Sequence, residues 1–378
     1  MVIFLLFIVV ALFFFFRKKF PTIIGKKSSF WDTQPVKHSN HNVLKPYIIN
    51  EQLPSQNEFY DGLIETIRGD QLEQNKQEIC DMIGQHYLNN ADNIYKPTVD
   101  ELFANYTKDS LISLSYDNNK LIGVIASSVL FFHNTEHNYY IKPRGYDDAK
   151  TSKPVNKINY VDFMCVHTDY RKRNIAPRLI YTHYYKQRYM LDDVMISLFK
   201  REDELLDSVV PLCSYITKGY FVDEQIERDT SEISMVVRVN EIPKECMEGH
   251  YAIQVYPNNW KSHILLRYTP TETSNKVKKY AYYVFKDESI FVRKGIKVLR
   301  LMASIVSDVY AYPEILNEGF IHCLKFLKPK YIAIENITTN CYLKIPSFLK
   351  EDIQSKTAYY LYNFMCNDVI PELAFICN

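Results

Sequence analysis

Residues 161–167 read Val-Asp-Phe-Met-Cys-Val-His, and the chain continues through a short turn into Arg171, Lys172, Arg173, Asn174, Ile175, Ala176 and Pro177. An apolar strand thus runs into a basic turn and then into a helix with proline near its first turn. Exposed amides and the positive end of a helix dipole bind phosphate, and small residues such as Ala176 let the backbone come close. A basic turn before a helix also describes a solvated loop, and residues 163–166 also describe a buried strand. The two readings of that strand are compatible if a bulge exposes two amides. Far upstream, residues 29–36 read Ser-Phe-Trp-Asp-Thr-Gln-Pro-Val, where Phe30 and Trp31 suit either a packing latch or a cofactor contact.

The elements that hold these residues follow from periodicity. Residues 59–68 and 71–88 carry helical spacing, with Leu72, Ile79, Met82, Ile83 and Tyr87 on the apolar face of the second. Residues 111–132 predict two strands around the turn Asp117, Asn118, Asn119, Lys120. A strand over 159–166 and a helix over about 175–189 form the unit that carries the basic turn. Downstream, apolar strands at 299–306 and 331–337 flank a helix over 313–327, a right-handed strand-helix-strand crossover. No sequence repeat relates the two halves, and their boundary is placed near residues 219–229. Between residues 21 and 53 the chain is polar, aperiodic and punctuated by Pro, Gly, Ser and Asn, which predicts an extended arm.

With 378 residues, 47% of them hydrophobic, the chain can bury a large core and exceeds the usual size of one domain. Its 45 Lys and Arg against 44 Asp and Glu exclude the basic footprint of a nucleic-acid binder. The eight cysteines are scattered through apolar runs without Cys-x-x-Cys or zinc spacing, so reduced core thiols, a reducing compartment and no metal are expected. Residues 1–16 are uniformly apolar and are followed by Arg17, Lys18 and Lys19. Sixteen residues rise about 24 Å as a helix against a hydrocarbon core of about 30 Å, short for a span unless the flanking cations snorkel. No basic region precedes the run and no small-x-small cleavage site follows it, so an uncleaved anchor is favoured over a signal peptide. The trailing cations place the rest of the chain on the cytoplasmic side.

Taken together, the string Phe30 to Val36 and the stretch from Val161 through Pro177 resemble the N-myristoyltransferase family, glycylpeptide N-tetradecanoyltransferases. Two further segments extend the resemblance. Residues 86–95, His-Tyr-Leu-Asn-Asn-Ala-Asp-Asn-Ile-Tyr, are similar to the family's peptide-binding loop, and residues 359–366, Tyr-Tyr-Leu-Tyr-Asn-Phe-Met-Cys, resemble its C-terminal signature. The resemblance implies an α/β protein of two pseudo-symmetric acyl-CoA N-acyltransferase (GNAT-like) halves around a mixed, saddle-shaped sheet. The expected organisation is an anchor over 1–20, an arm over 21–53, an acyl-CoA half over 54–220 and a peptide-binding half over 221–378.

The same resemblance implies the chemistry. Myristoyl-CoA is the co-substrate, held by Ser29, Phe30, Trp31, Cys165, Val166, Arg171, Lys172, Arg173, Asn174, Ile175, Ala176 and Pro177, with no metal. The acceptor is a protein with an N-terminal glycine, bound by Tyr87, Asp92, Tyr95 and Ser197, and the chain is expected to act as a monomer. The amine attacks the thioester directly while the amides of Phe163 and Met164 hold the oxyanion, donors of a kind worth about 3 kcal/mol to the barrier. The family's base is the terminal carboxylate, here supplied by Asn378.

This chain departs from the family at five places. Asn174 stands where Gly or Arg is usual. Asn89, Asn90 and Ala91 replace most of an acidic run, leaving Asp92. Asp162 replaces the Asn that holds the acceptor amine, and its carboxylate either binds the ammonium or serves as a base. The Thr-Ala-Gly strand expected around Ser197 is absent as such, and residues 350–358 replace the Gly-Asp-Gly turn before the tyrosines. Two alternatives therefore stand beside myristoyl transfer: a catalytically retired, membrane-anchored module that binds acyl-CoA or peptide, and a short-chain N-acetyltransferase.

Overall fold

The computed structural model describes residues 29–88, 93–134, 140–141, 153–154, 156–223, 235–247, 250–270, 279–293, 295–307 and 313–378. The apolar run over 1–16, expected as an anchor, lies outside the described residues, as does Asp92. Among the described residues no helix is long and apolar enough to cross a membrane. The chain forms two compact units, Met1–Gln34 and Pro35–Asn378. In the first, Phe30–Thr33 is a single 3-10 turn, closed by the Ser29 amide donating to Asp32 Oδ2 at 2.7 Å. The Phe30 and Trp31 rings meet edge to face there, 5.1 Å apart.

Among the described residues, the second unit is built on one mixed sheet of fifteen strands. In chain order these are β1 (Glu65–Arg68), β2 (Asn93–Tyr95), β3 (Leu111–Asp117), β4 (Lys120–Asn134), β5 (Lys157–Val166), β6 (Ser197–Glu202), β7 (Cys213–Val222) and β8 (Val236–Val239). They continue as β9 (Ile253–Tyr256), β10 (His263–Tyr268), β11 (Ala281–Val292), β12 (Ile296–Val306), β13 (Tyr331–Glu335), β14 (Leu349–Tyr362) and β15 (Ala374–Ile376). The order across the sheet is β8-β10-β11-β12-β13-β7-β14-β6-β5-β4-β9-β15, with β3 also on β4, β1 on β3 and β2 on β11. Among the described residues four α-helices accompany the sheet: α1 (Lys76–His86), α2 (Val99–Phe103), α3 (Ile175–Met190) and α4 (Pro313–Leu327).

A repeat that the sequence hides is plain in the pairing. Antiparallel β4 and β5 lead through α3 to β6, parallel to β5, and antiparallel β11 and β12 lead through α4 to β13, parallel to β12. The two repeats are joined by an exchange within this sheet. β7 pairs with β13 of the later unit, while β14 pairs with β6 of the earlier one. The division at residues 220/221 falls inside β7, where Tyr220 pairs with Ile332.

Local chemistry explains the elements around the site. The β3–β4 hairpin turns at Asn118 and Asn119, with φ of 48° and 64°, the left-handed pair that a two-residue hairpin needs and asparagine tolerates. The helix expected over 59–68 does not form. Ile64, Thr66 and Ile67 are β-branched, and Glu65–Arg68 instead pairs antiparallel with Leu111 to Leu114. Downstream, Gly69–Gln71 makes a 3-10 turn, so helix begins only at Lys76.

In the earlier unit the sheet is covered on both faces. α1 buries Ile79, Met82 and Ile83 against Ile112, Leu114, Val124 and Ala126. α3 sets Leu179 against Ile125 and Val166 on the opposite face, and each such aliphatic side chain contributes about 1.5–3 kcal/mol by leaving water. Gly123 makes this approach possible, since a Cβ there would lie 2.7 Å from Leu179 Cδ1. All eight cysteines carry free thiols.

Candidate active site

β5 and β6 pair only at Asn159 to Val161 with Ser197 to Phe199, after which the pairing stops. On its other edge β5 carries a bulge. Val161 pairs with Ser127 and Phe163 with Ala126, so Asp162 is the extra residue. Beyond Val161, residues Asp162 to Val166 therefore have no ladder partner toward β6. This is where the amides of Phe163 and Met164 sit, both residues half-buried.

A cleft of about 310 Å³ opens beside this segment, lined by Met164, Cys165, Val166, Arg171, Lys172, Ile175 and Ala176, together with His86, Tyr87 and Tyr170. The basic turn has a particular backbone. Lys172 and Asn174 both have left-handed φ, 64° and 59°, and Asn174 is the N-cap of α3. Asparagine is among the few side chains that accept this conformation readily, which accounts for its presence where glycine is the usual alternative. Arg171 spans the cleft wall, Nε donating to the Val166 carbonyl at 3.2 Å and Nη2 to the His86 carbonyl at 2.5 Å. Arg173 turns away and lies 5.0 Å over the Tyr170 ring. Pro177 lies in the first turn of α3, half-buried. Burial pushes the Cys165 thiol up to about 12, so it stays neutral against α1.

Tyr87, Tyr95 and Phe163 form one aromatic cluster with centroids 5.6 to 5.7 Å apart. The structure thus joins two of the acceptor-binding candidates to the bulge. It places Ser197 elsewhere. Ser197 Oγ donates to Gln187 Oε1 at 2.8 Å, and Asn159 donates to the same oxygen, so this pair faces α3.

Asp162 points to the other face. Its Oδ2 accepts from Ser128 Oγ at 2.9 Å and Tyr106 Oη at 3.1 Å, while Oδ1 has no hydrogen bond among the described residues. Burial pushes the carboxyl up to about 6 against the opposing pull of Lys286 and the two hydroxyls. Lys286 Nζ in turn donates to the Asn378 main-chain oxygen at 2.7 Å, and His263 Nε2 lies 3.1 Å from the same atom. Burial and the Lys286 charge push His263 down to about 3, so the ring is neutral and reaches the oxygen as an N–H donor. Asn378 Oδ1 accepts from Tyr359 Oη at 3.2 Å.

At the end of β6, Glu202 is held at about 2. Burial pushes its carboxyl up, but Arg300 and Lys200 outweigh that. Sequence reasoning missed Tyr106, Ser128, Lys286 and His263, which belong to no motif; Ser128, Lys286 and His263 are brought to Asp162 and Asn378 by sheet pairing, and Tyr106 by the turn after α2. His86 stood inside a recognised string without a role. Among the described residues no group of three or more His, Cys, Asp or Glu is placed to hold a metal ion.

No protein-family model matches the chain. Two curated relatives, both glycylpeptide N-tetradecanoyltransferases of Plasmodium falciparum, one of them from isolate 3D7, are each 26% identical over 167 residues. The match spans 40% of this chain and 37% of the length of either relative. Among solved structures, Saccharomyces cerevisiae N-myristoyltransferase with bound myristoyl-CoA superposes with a TM-score of 0.60 at 12% identity, over 91% of this chain and 94% of that one. A second structure of the yeast enzyme, with myristoyl-CoA and inhibitors, gives 0.59 over 93% of both chains. This chain has the N-myristoyltransferase fold. The long mixed sheet and the repeated strand-helix-strand units of this chain are its form of that fold. Within the N-myristoyltransferase fold, the basic turn and the start of α3 stand beside the splay.

Proposed function

We propose that the protein transfers myristate from myristoyl-CoA to the N-terminal glycine amine of acceptor proteins. The observation that carries this reading is the convergence of β5 just past its bulge, from Met164 to Val166, with the left-handed basic turn and the start of α3 on one cleft. The amides at the start of α3, with Arg171 and Lys172, suit the phosphates of coenzyme A, and Ile175 and Ala176 let them approach. Asn174 sets the turn that aims those amides. The acyl thioester then lies along β5 with its carbonyl toward the amides of Phe163 and Met164, which hold the developing oxyanion.

The acceptor enters past Tyr87 and Tyr95, which pack on Phe163 and so couple peptide binding to the reacting carbonyl. The C–N bond forms, the C–S bond breaks, and coenzyme A leaves as the thiol. The fold itself and the 26% identity to glycylpeptide N-tetradecanoyltransferases support this choice of acyl group and acceptor. The apolar residues 1–16 with Arg17, Lys18 and Lys19 support a membrane-anchored chain whose catalytic body faces the cytoplasm.

One assay tests the reading. The full chain is incubated with myristoyl-CoA or acetyl-CoA and a peptide beginning with glycine, and free thiol and peptide mass are followed. Thiol release with a myristoylated peptide is expected. Turnover of acetyl-CoA alone would make the protein a short-chain N-acetyltransferase, and acyl-CoA binding without turnover would make it a binding module.

A further inference from the structure

The transfer proposed above requires that the attacking amine lose a proton, and we infer that Asp162 Oδ1 accepts it. This inference rests on the proposed acyl transfer and assigns one of its steps to a residue of this chain.

Two features of position single out Asp162. Asp162 is the bulged residue of β5, so its carboxylate is carried by the backbone turn that presents the adjacent amides of Phe163 and Met164. An amine attacking a carbonyl held by those amides arrives next to Asp162. Secondly, both fixed donors, Ser128 Oγ and Tyr106 Oη, reach the same oxygen, Oδ2. They lock the orientation of the carboxylate and leave Oδ1, on a half-buried residue, as an open acceptor.

The charged surroundings suit a base that works near neutral pH. Lys286 on β11 is the cation that acts on the carboxylate, and burial lowers its own affinity for the proton. Tyr87, Tyr95, Tyr106 and Tyr160 feel the Asp162 charge, and burial pushes each of their hydroxyls up, so they stay neutral donors. A carboxyl raised to about 6 is ionised at pH 7 yet basic enough to take the N–H proton that the neutral amine sheds as it attacks. In the step itself the amine nitrogen bonds to the thioester carbon, the N–H proton passes to Oδ1, and the C–S electron pair leaves with the coenzyme A thiolate. That thiolate takes up a proton in turn, and Asp162 returns its own to solvent.

The test compares Asp162→Asn with the unmodified full chain, using myristoyl-CoA and a glycine-initiated peptide, with kcat read across pH 5 to 9 and acyl-CoA affinity by calorimetry. The unmodified chain should show an acidic limb in kcat near pH 6. Asp162→Asn should lose that limb and at least about 100-fold in kcat, with acyl-CoA affinity unchanged. Lys286→Met should move the limb upward, because the cation that favours the ionised carboxylate is gone. An Asp162→Asn chain that keeps kcat within threefold and retains the limb would overturn the assignment while leaving acyl transfer standing. The Lys286→Met limb and the unmodified profile decide the matter if Asp162→Asn does not fold: a limb that stays put, or none near pH 6, counts against Asp162. Absence of any glycine acylation by the unmodified chain would instead overturn the reading of the activity itself.

Discussion

Arg300 Nη1 lies 3.1 Å from Glu335 Oε1, the arginine almost wholly and the glutamate fully buried, across the parallel strands β12 and β13. Glu335 also accepts from Lys200 Nζ at 2.6 Å and from Tyr215 Oη at 2.7 Å, so one carboxylate ties strands of both repeated units together. Arg300 serves Glu288 and Glu202 as well. Removing the arginine strands several buried carboxylates. Arg300→Met should therefore cost about 3–5 kcal/mol of stability, measured by urea unfolding, and Arg300→Lys should recover only part of it because one ammonium does not reproduce the fork.

Arg171 ties the β5–α3 turn to the end of α1 through the Val166 and His86 carbonyls. Arg171→Ala should thus weaken acyl-CoA binding by about tenfold or more, by calorimetry, with a stability loss of only about 1–2 kcal/mol. Unchanged affinity would remove the guanidinium from the phosphate site.

Asn174 sits at φ 59° ahead of α3. Asn174→Gly should leave stability within about 0.5 kcal/mol and preserve acyl-CoA affinity, whereas Asn174→Val should cost about 1–2 kcal/mol and reduce that affinity together with it. Thermal unfolding with and without myristoyl-CoA separates the two effects.

His183 bridges Ser113 Oγ at 2.9 Å and Ser127 Oγ at 2.8 Å inside the sheet-helix core, and burial pushes it down to about 3. Because the folded value lies below the ordinary one near 6.5, the unfolded chain takes up the proton first. The contribution of this histidine is complete above about pH 6.5 and is lost as pH falls toward 3, at about 1.4 kcal/mol per unit. Urea unfolding at pH 7.5, 6 and 5 should show that slope, and His183→Gln should make it shallower. His263 adds a second such slope of the same sign.

Much of the candidate site was legible before any tertiary structure, for a physical reason: phosphate recognition at a helix start is local. The strand, the basic turn, the α3 start and Pro177 lie within one short stretch, and the Asn118–Asn119 turn likewise depends only on its own residues. The helix expected over 59–68 failed because Gly62, Ile64 and Gly69 bound a segment too short for periodicity to separate helix from strand, and the partner strand β3 decided. What only the tertiary structure settled is everything set by pairing between distant segments. The exchange of β7 and β14, the bulge that singles out Asp162, the departure of Ser197 toward Gln187, and the meeting of Lys286 with Asn378 all depend on register across the sheet. Register is fixed by burial on both faces at once, and no single stretch of sequence contains both faces.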